Sequence, residues 1–284
     1  MKVSASWTLG FIVDALFWLF ENDKEAYEEY PKHCLIKLLE LSSSMAESVH
    51  NNICLKVNSL RTLGCLLHQF DQDLLNHPND IVKANLEDLC LKSVSIVEQN
   101  MRQQKKTNVM KVRWNACYAA SRIVQNKVLE NLTNNFEEII NSVLDVLTTC
   151  NNFKVQTNAV SVLLKIQDRS VFGRNFDKII TTLFESLEKA DQLQEESNES
   201  QHKMDLTNNI CLALAYLMSF CSKSDVSSLK SELLSCDRLE MLKNIFTLCL
   251  RNLSPEKASQ FIRTTSHLRA ICPNEIELID VFDN

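Results

Sequence analysis

Apolar residues recur three and four positions apart along most of the chain, which is the spacing of one face of an α-helix. Leu35, Leu38 and Leu39 show this spacing early in the sequence, and Ile139 and Val143 show it later. No stretch alternates apolar and polar residues with period two. The pattern predicts helices of about 15–20 residues in pairs. Short polar breaks separate the helices at 21–31, 71–80, 99–108, 126–135, 168–175 and 191–203.

Glycine and proline are scarce, with 3 Gly and 4 Pro in 284 residues. Average usage would give about 20 and about 14. Hairpins, tight turns and phosphate-binding loops need glycine at fixed positions. The composition therefore disfavours sandwiches, barrels, Rossmann sheets and P-loop folds, and it favours helices packed on helices.

Four segments align on an asparagine, at Asn58, Asn115, Asn158 and Asn209, with separations of 57, 43 and 51 residues. Apolar or small residues recur in all four segments three positions before the Asn and two, five and eight positions after it. The separations are close to the period of about 40–47 residues of HEAT and armadillo repeats. At the aligned position of Gly64 the other segments carry Ser, Leu and Ala, so we expect Gly64 on the outer side of its helix and replaceable.

The repeat predicts an all-α fold, an α-solenoid of stacked antiparallel helix pairs in a HEAT/armadillo-like superhelix. We expect one helical-repeat domain over 1–272 with about six stacked units. Residues 273–284 carry four acidic side chains and no base, and we expect an acidic C-terminal tail that is frayed or forms a soft cap.

The second aligned segment, KVRWNACYA at 111–119, resembles the C-terminal region of the HEAT repeat-containing protein 6 family. NFKV at 152–155 and LGCLLH at 63–68 support the resemblance. It extends with gaps from about residue 31 to about 225 and is strongest over 108–160, while Ser121 departs from the small Gly of the family pattern. The resemblance implies the C-terminal part of a longer armadillo-type solenoid, without assigned catalysis, that works through protein contacts.

Helix geometry selects a candidate partner surface on the second helix of each pair. At 100° per residue, Trp114, Tyr118 and Arg122 lie away from the core direction set by Val112. An aromatic pair beside an arginine is typical of binding hot spots. The alternative is that both rings pack against a neighbouring repeat. The same surface also includes Gln125, Arg61, Lys165, Asn115 and Asn158.

The aligned asparagines have two interpretations. Each amide could bond a loop carbonyl of the adjacent repeat, or it could hold the backbone of an extended peptide, as the resemblance to armadillo grooves suggests.

A basic island lies between Glu98 and Glu130, where seven bases occur without an acidic residue in a chain of net charge −6. It could bind an acidic peptide, a phosphorylated segment or nucleic acid. The interpretation we favour is a solvated loop whose bases face acids such as Glu87, Asp88 and Glu137. The island comprises Arg102, Lys105, Lys106, Lys111, Arg113, Arg122 and Lys127.

The 11 cysteines are odd in number, form no CxxC motif and lie mostly within apolar helical runs. This usage is typical of small hydrophobic side chains in a reducing, intracellular compartment, either cytoplasmic or nuclear. No metal-ligand set emerges, since His33 and Cys34 are adjacent and the His50–Cys54 pair lacks a second pair. No catalytic or phosphate-binding motif occurs, so we expect no enzyme and no cofactor.

The early apolar run at 9–20 is too short for a membrane span and contains Asp14. We expect a helix covered by another helix.

The sequence as a whole predicts a non-enzymatic scaffold that binds protein through its concave second-helix surface. Two alternatives stay open: a cargo-binding transport- or chaperone-like receptor, and a nucleic-acid-associated factor that uses the basic island at 102–127. Nucleic acid is disfavoured by the net charge of −6.

Overall fold

A computed structural model describes residues 2–29, 32–47, 52–75, 80–102, 109–134, 136–192, 199–233 and 236–283. Within these ranges the regular elements are helical and no strand occurs. The helices form two compact units, Met1–Phe172 and Gly173–Asn284. The single repeat domain over 1–272 stays a prediction.

Unit 1 contains eleven described helices. They are α1 Lys2–Asn22, α2 Lys24–Glu28, α3 Lys32–Glu47, α4 Ile53–His68, α5 Gln72–Leu75, α6 Asp80–Arg102, α7 Met110–Ile123, α8 Lys127–Leu132, α9 Glu137–Thr149, α10 Phe153–Leu163 and α11 Arg169–Phe172. Four of the predicted breaks thus contain a short helix, namely α2, α5, α8 or α11.

The long helices of unit 1 pack in two rows. The second-helix row consists of α1, α4, α7 and α10, each in contact with the next. The first-helix row consists of α3, α6 and α9, and its members contact α4, α7 and α10, respectively. The core lies between the rows, where Leu63, Ala116 and Val160 are completely buried.

Asparagine begins two helices of the second-helix row. The Oδ1 of Asn52 accepts a hydrogen bond from the backbone N–H of Leu55, and the Oδ1 of Asn152 accepts one from Val155. Each side chain satisfies a backbone donor that the first helical turn leaves without a partner. The polar breaks in the sequence therefore start helices as well as end them.

Gly64 lies at the contact between α4 and α7, not on an outer side. A Cβ built on it would stand 2.5 Å from the Cα of Ala119 and 2.9 Å from its Cβ. The two backbones approach closely because neither position carries a larger side chain. The expectation that Gly64 is replaceable is wrong for this pair of helices, although the aligned helices tolerate larger residues.

Unit 2 begins with a 3₁₀ turn at Gly173–Asn175. Its helices are α12 Phe176–Gln192, α13 Ser200–Met218, α14 Lys223–Leu233, α15 Cys236–Asn252, α16 Pro255–Ile271 and α17 Ile276–Phe282. Helix α13 contacts α12, α15 and α16, and α14 contacts α12.

The end of the chain corrects one expectation. Helix α17 lies in the segment that we expected to fray or to form a soft cap, and it packs on α15 and α16. The ring of Phe282 meets that of Phe246 edge-on at 5.0 Å, and the hydroxyl of Thr265 donates to the Phe282 carbonyl. Fraying is wrong because the acids alternate with apolar residues that are buried, namely Leu278, Ile279, Val281 and Phe282.

Helix α1 covers α4 with one side only. Leu9, Val13 and Leu16 are buried, whereas Phe11 and Trp18 are 68% and 60% exposed. None of the described helices combines the length and the apolar character that crossing a bilayer requires.

Candidate binding surface

The second-helix face is the solvent side of α4, α7 and α10, directed away from the first-helix row. It contains most of the predicted partner-binding residues because they fall on the exposed arc of these three helices. We define it by Arg61, Lys111, Trp114, Tyr118, Arg122, Gln125, Lys154 and Lys165.

Trp114 is the aromatic residue most open to solvent on this face, with 38% of its surface exposed. The ammonium of Lys154, on α10, lies 5.6 Å from the centroid of its ring. This contact joins neighbouring helices by a cation–π interaction. The Trp114 ring is thus partly exposed to solvent and partly covered by a side chain of the neighbouring helix.

Tyr118 and Arg122 form a packed group instead. The guanidinium carbon of Arg122 lies 4.6 Å from the ring centroid of Phe17 and 5.4 Å from that of Tyr118. Arg122 also donates to the Tyr118 hydroxyl at 3.3–3.4 Å. Because Phe17 belongs to α1 and Arg122 to α7, this group bridges over α4 between them. Both side chains are half-buried, so they support the face more than they present new surface.

The His68 ring packs next to the group formed by Tyr118 and Arg122. Its Nδ1 donates to the Arg122 carbonyl at 3.0 Å, and its Nε2 lies 3.3 Å from a carboxylate oxygen of Glu21. The rings of Phe17 and Phe20 flank it at 5.4 and 5.7 Å. The carboxyl ends of α1, α4 and α7 therefore meet in one aromatic cluster.

The remaining predicted residues have separate surroundings. Arg61 is exposed and its guanidinium lies 3.0 Å from Asp14. Gln125 donates to the carbonyl of Ser121 one turn earlier. Lys165 is exposed just beyond α10.

In the described ranges, the aligned asparagines do not bond the loop carbonyls of a neighbouring helix pair. The side chains of Asn115, Asn158 and Asn209 donate to the carbonyl four residues earlier in their own helices, at 2.7–2.9 Å. The side chain of Asn58 donates to the hydroxyl of Ser6. The loop-carbonyl interpretation is wrong for Asn115, Asn158 and Asn209 because a helical Asn amide readily bonds the carbonyl of its own preceding turn. The peptide-binding interpretation stays a hypothesis.

Asn126, which we did not predict, joins the start of α8 to the end of α4. Its Nδ2 lies 2.6–3.1 Å from the carbonyls of Leu67, His68 and Phe70 at the end of α4. Its Oδ1 accepts from the backbone N–H groups of Val128 and Leu129 and so caps α8. The available signal was an Asn directly before an apolar helical run, which indicates a cap but not the carbonyls it meets.

The basic island is not one patch. Arg102 donates to Ser142 at 2.8 Å and to Glu138 at 2.7 Å, so it joins α6 to α9 within the first-helix row. Lys127 pairs with Glu130 at 2.8 Å. These bases face acidic neighbours, as the favoured interpretation has it, although the acids are not the ones it named.

Arg113 contradicts the patch most clearly, because it is only 1% exposed. Its Nε donates to the Met101 carbonyl in the last turn of α6, and its Nη2 has no hydrogen-bond partner among the described residues. Lys111 alone of the proposed patch is exposed without an ion pair in the described ranges. Lys105 and Lys106 lie outside the described residues.

Charge is divided unevenly between the two rows of unit 1. Helices α4, α7 and α10 contain no Asp or Glu. Helix α9 contains three acids and no base, and α6 carries acids along its length. The second-helix face therefore presents mainly positive charge in a chain of net charge −6.

Of the ten cysteines whose side chains the structure describes, eight are buried, and all ten are free thiols. Burial raises the pKa of Cys65 to about 11 and the pKa values of Cys90 and Cys117 to about 12. The described part of the chain holds no group of three or more potential metal ligands. The Sγ of Cys34 lies 3.6 Å from the ring of its neighbour His33, and His50 lies outside the described ranges.

No protein-family profile matches the chain. An uncharacterized Dictyostelium discoideum protein is 25% identical over 172 residues, which cover 56% of this chain and 11% of that protein. The chain thus spans about a tenth of that relative's length. No solved structure matches the chain.

Proposed function

We propose that the chain is an α-solenoid of HEAT or armadillo type and a non-enzymatic scaffold that binds a protein partner through its second-helix face. The two packed rows of unit 1 support the solenoid, because each helix pair buries its apolar faces only against its neighbours. The resemblance to the HEAT repeat-containing protein 6 family agrees with this architecture.

The observation that carries the binding role is Trp114, an exposed ring on a face that three helices build together. Tryptophan supplies a large rigid contact area at low entropic cost and is enriched at binding hot spots. Lys154 stacks on it, and the packed pair of Tyr118 and Arg122 holds the neighbouring surface in place. A preformed surface of this kind avoids part of the ordering cost of binding.

The unpaired thiols favour a reducing compartment, so we place the scaffold in the cytoplasm or nucleus. A cargo-binding receptor would use the same face. A nucleic-acid role is weaker, since Arg113 is buried and Arg102 is neutralised by Glu138.

A quantitative affinity capture from cell extract tests the proposal. We compare the wild type with Trp114→Ala and with a control on the first-helix row, Ile81→Ala, where the side chain is 72% exposed. We expect a specific set of proteins to be lost with Trp114→Ala and kept with Ile81→Ala, while both variants retain the wild-type circular dichroism. An identical set of bound proteins for all three would contradict the proposal.

A further inference from the structure

We propose that the second-helix face of unit 1 binds an extended, acidic segment of a partner protein. This inference rests on the proposed scaffold role and adds the chemistry of the partner. The first argument is the distribution of charge: three adjacent helices carry bases on their solvent side and no carboxylate in their described spans.

The lysines of the face lack carboxylate partners. Lys111, Lys154 and Lys165 are exposed and form no ion pair within 4 Å in the described ranges. Elsewhere in unit 1, Lys92 lies 2.9 Å from Glu47 and Arg102 lies 2.7 Å from Glu138. The face therefore keeps a positive potential, whereas Lys92 and Arg102 on the first-helix row are paired with carboxylates.

The boundary of this potential is also visible. On the side of α1, Asp14 neutralises Arg61 and Glu21 stands beside His68. Beyond α10, the carboxylate of Asp168 accepts hydrogen bonds from the backbone and hydroxyl of Ser170. The exposed lysines of the face that form no ion pair in the described ranges thus lie on α7, on α10 and just beyond α10, and one of them, Lys154, lies over the Trp114 ring.

Helix spacing gives the expected spacing of acids in the partner. Packed helices lie about 8–10 Å apart, and an extended chain advances about 3.3 Å per residue. A segment that crosses α7 and α10 therefore meets a new helix about every third residue. Carboxylates three apart would meet successive lysines, and an apolar residue between them would cover the Trp114 ring.

A protein segment suits this face better than nucleic acid does. The unpaired charges are few, and the carboxylates of Asp14 and Glu21 would repel a longer polyanion at one end. Stacking of successive bases needs several exposed rings, and α4, α7 and α10 expose only Trp114 as a large aromatic residue in their described spans.

The test measures fluorescence anisotropy of a labelled 12-residue peptide, four repeats of Glu-Leu-Ser, with the full chain at low salt. The reference probes are the same peptide with Gln in place of Glu, and a 12-nucleotide thymidine strand. We expect the Glu peptide to bind about tenfold more tightly than the Gln peptide, because several exposed ion pairs add up to about that factor.

Two charge-matched variants locate the site. The first variant reverses the charge of the three lysines of the face: Lys111→Glu/Lys154→Glu/Lys165→Glu. The second reverses the charge of three exposed lysines elsewhere: Lys37→Glu/Lys243→Glu/Lys257→Glu. Both variants therefore change the net charge equally. We expect the first variant to weaken binding of the Glu peptide about tenfold and the second to leave it nearly unchanged. Equal weakening in both, or no binding to the wild type, would overturn the proposal.

Tighter binding of the thymidine strand than of the Glu peptide at the same salt would also overturn it, in favour of a nucleic-acid surface. Failure of the scaffold role is distinguishable. If the proteins lost with Trp114→Ala are kept by the lysine face variant and the Glu peptide does not bind, the acidic partner is wrong but the scaffold role stands.

Discussion

The two helical rows of unit 1 differ in how their basic side chains are paired. In the first-helix row, bases meet carboxylates on neighbouring helices, as Arg102 meets Glu138 and Lys92 meets Glu47. In the second-helix row, carboxylates are absent from α4, α7 and α10, and Arg122 stacks on the rings of Phe17 and Tyr118 instead. The difference teaches that the first-helix row holds carboxylates that pair with its bases, whereas the described spans of α4, α7 and α10 carry bases without carboxylates.

The rows also differ in how closely their helices approach. Helices α4 and α7 meet at Gly64 and Ala119 with almost no side chain between the backbones. Close approach keeps the second-helix face continuous, since the side chains of α4, α7 and α10 then adjoin one another.

The largest expected effect comes from filling this contact. Gly64→Ala would place a methyl group 2.5 Å from the Cα of Ala119, and a backbone atom cannot move aside as a side chain can. We expect the free energy of unfolding to fall by about 3 kcal/mol, measured by urea denaturation.

Gly10→Ala is the matched control in α1. Its new methyl group would meet only the hydroxyl oxygen of Thr62 at 3.9 Å, an ordinary contact. Replacing a glycine inside a helix by alanine raises the free energy of unfolding by about 0.5–1 kcal/mol. Equal stability of the two variants would refute the close packing of α4 on α7.

The next effect tests how the second-helix row is held together. Asn126→Ala removes the donor to three carbonyls of the α4 end and the cap of α8. We expect the free energy of unfolding to fall by about 2 kcal/mol. Asn115→Ala serves as control and should cost less than about 0.5 kcal/mol, because its bond lies within one exposed helical turn. A larger loss at Asn115 than at Asn126 would contradict the assignment of the stabilising contact between α4 and α8 to Asn126.

A smaller effect is expected from the carboxyl group of Glu98 in the first-helix row. Burial, and then the nearby Glu138, raise the pKa of Glu98 to about 7 despite the opposing charge of Arg102. A carboxyl whose folded pKa is raised stabilises the fold below its unfolded pKa of about 4.5, and this contribution is lost as pH rises through 7. The side chain of Glu98→Gln stays neutral at every pH, so the variant does not lose this contribution. The free energy of unfolding of the variant, relative to that of the wild type, should therefore rise by about 1 kcal/mol between pH 5 and pH 8, a value reduced for the partial exposure of the side chain. A difference that is constant with pH would contradict the raised pKa.

The last prediction concerns the rates at which thiols in the two rows react and involves no change in stability. Cys54 is exposed on α4, whereas Cys90 on α6 and Cys117 on α7 are buried with pKa values raised to about 12. Since the thiolate is the nucleophile, iodoacetamide at pH 8 should modify Cys54 at least about a hundredfold faster than Cys90 or Cys117. Peptide mapping by mass spectrometry measures the rates. Comparable rates would mean that one of the rows opens readily.

Periodicity predicted the helical fold because every long helix buries an apolar face at three- and four-residue spacing. The same geometry could have corrected the basic island: Arg113 lies 100° from Val112, close to the buried Ala120 and Val124. The role of Asn126 could not be predicted, since the carbonyls that it meets belong to residues 56–59 positions earlier. The close contact at Gly64 depends on which helices become neighbours, which the pattern of a single helix does not contain.

Covalent attachment of the Glu-Leu-Ser peptide tests the central claim most directly. The peptide, N-acetylated and with its carboxylates free, is mixed in slight excess with the full chain. A carbodiimide is then added to join bound carboxylates to adjacent lysines as amides, and the coupled lysines are mapped by mass spectrometry. The positive second-helix face predicts attachment mainly at Lys111, Lys154 and Lys165. Attachment spread equally over Lys37, Lys243 and Lys257, which are also exposed, would contradict it.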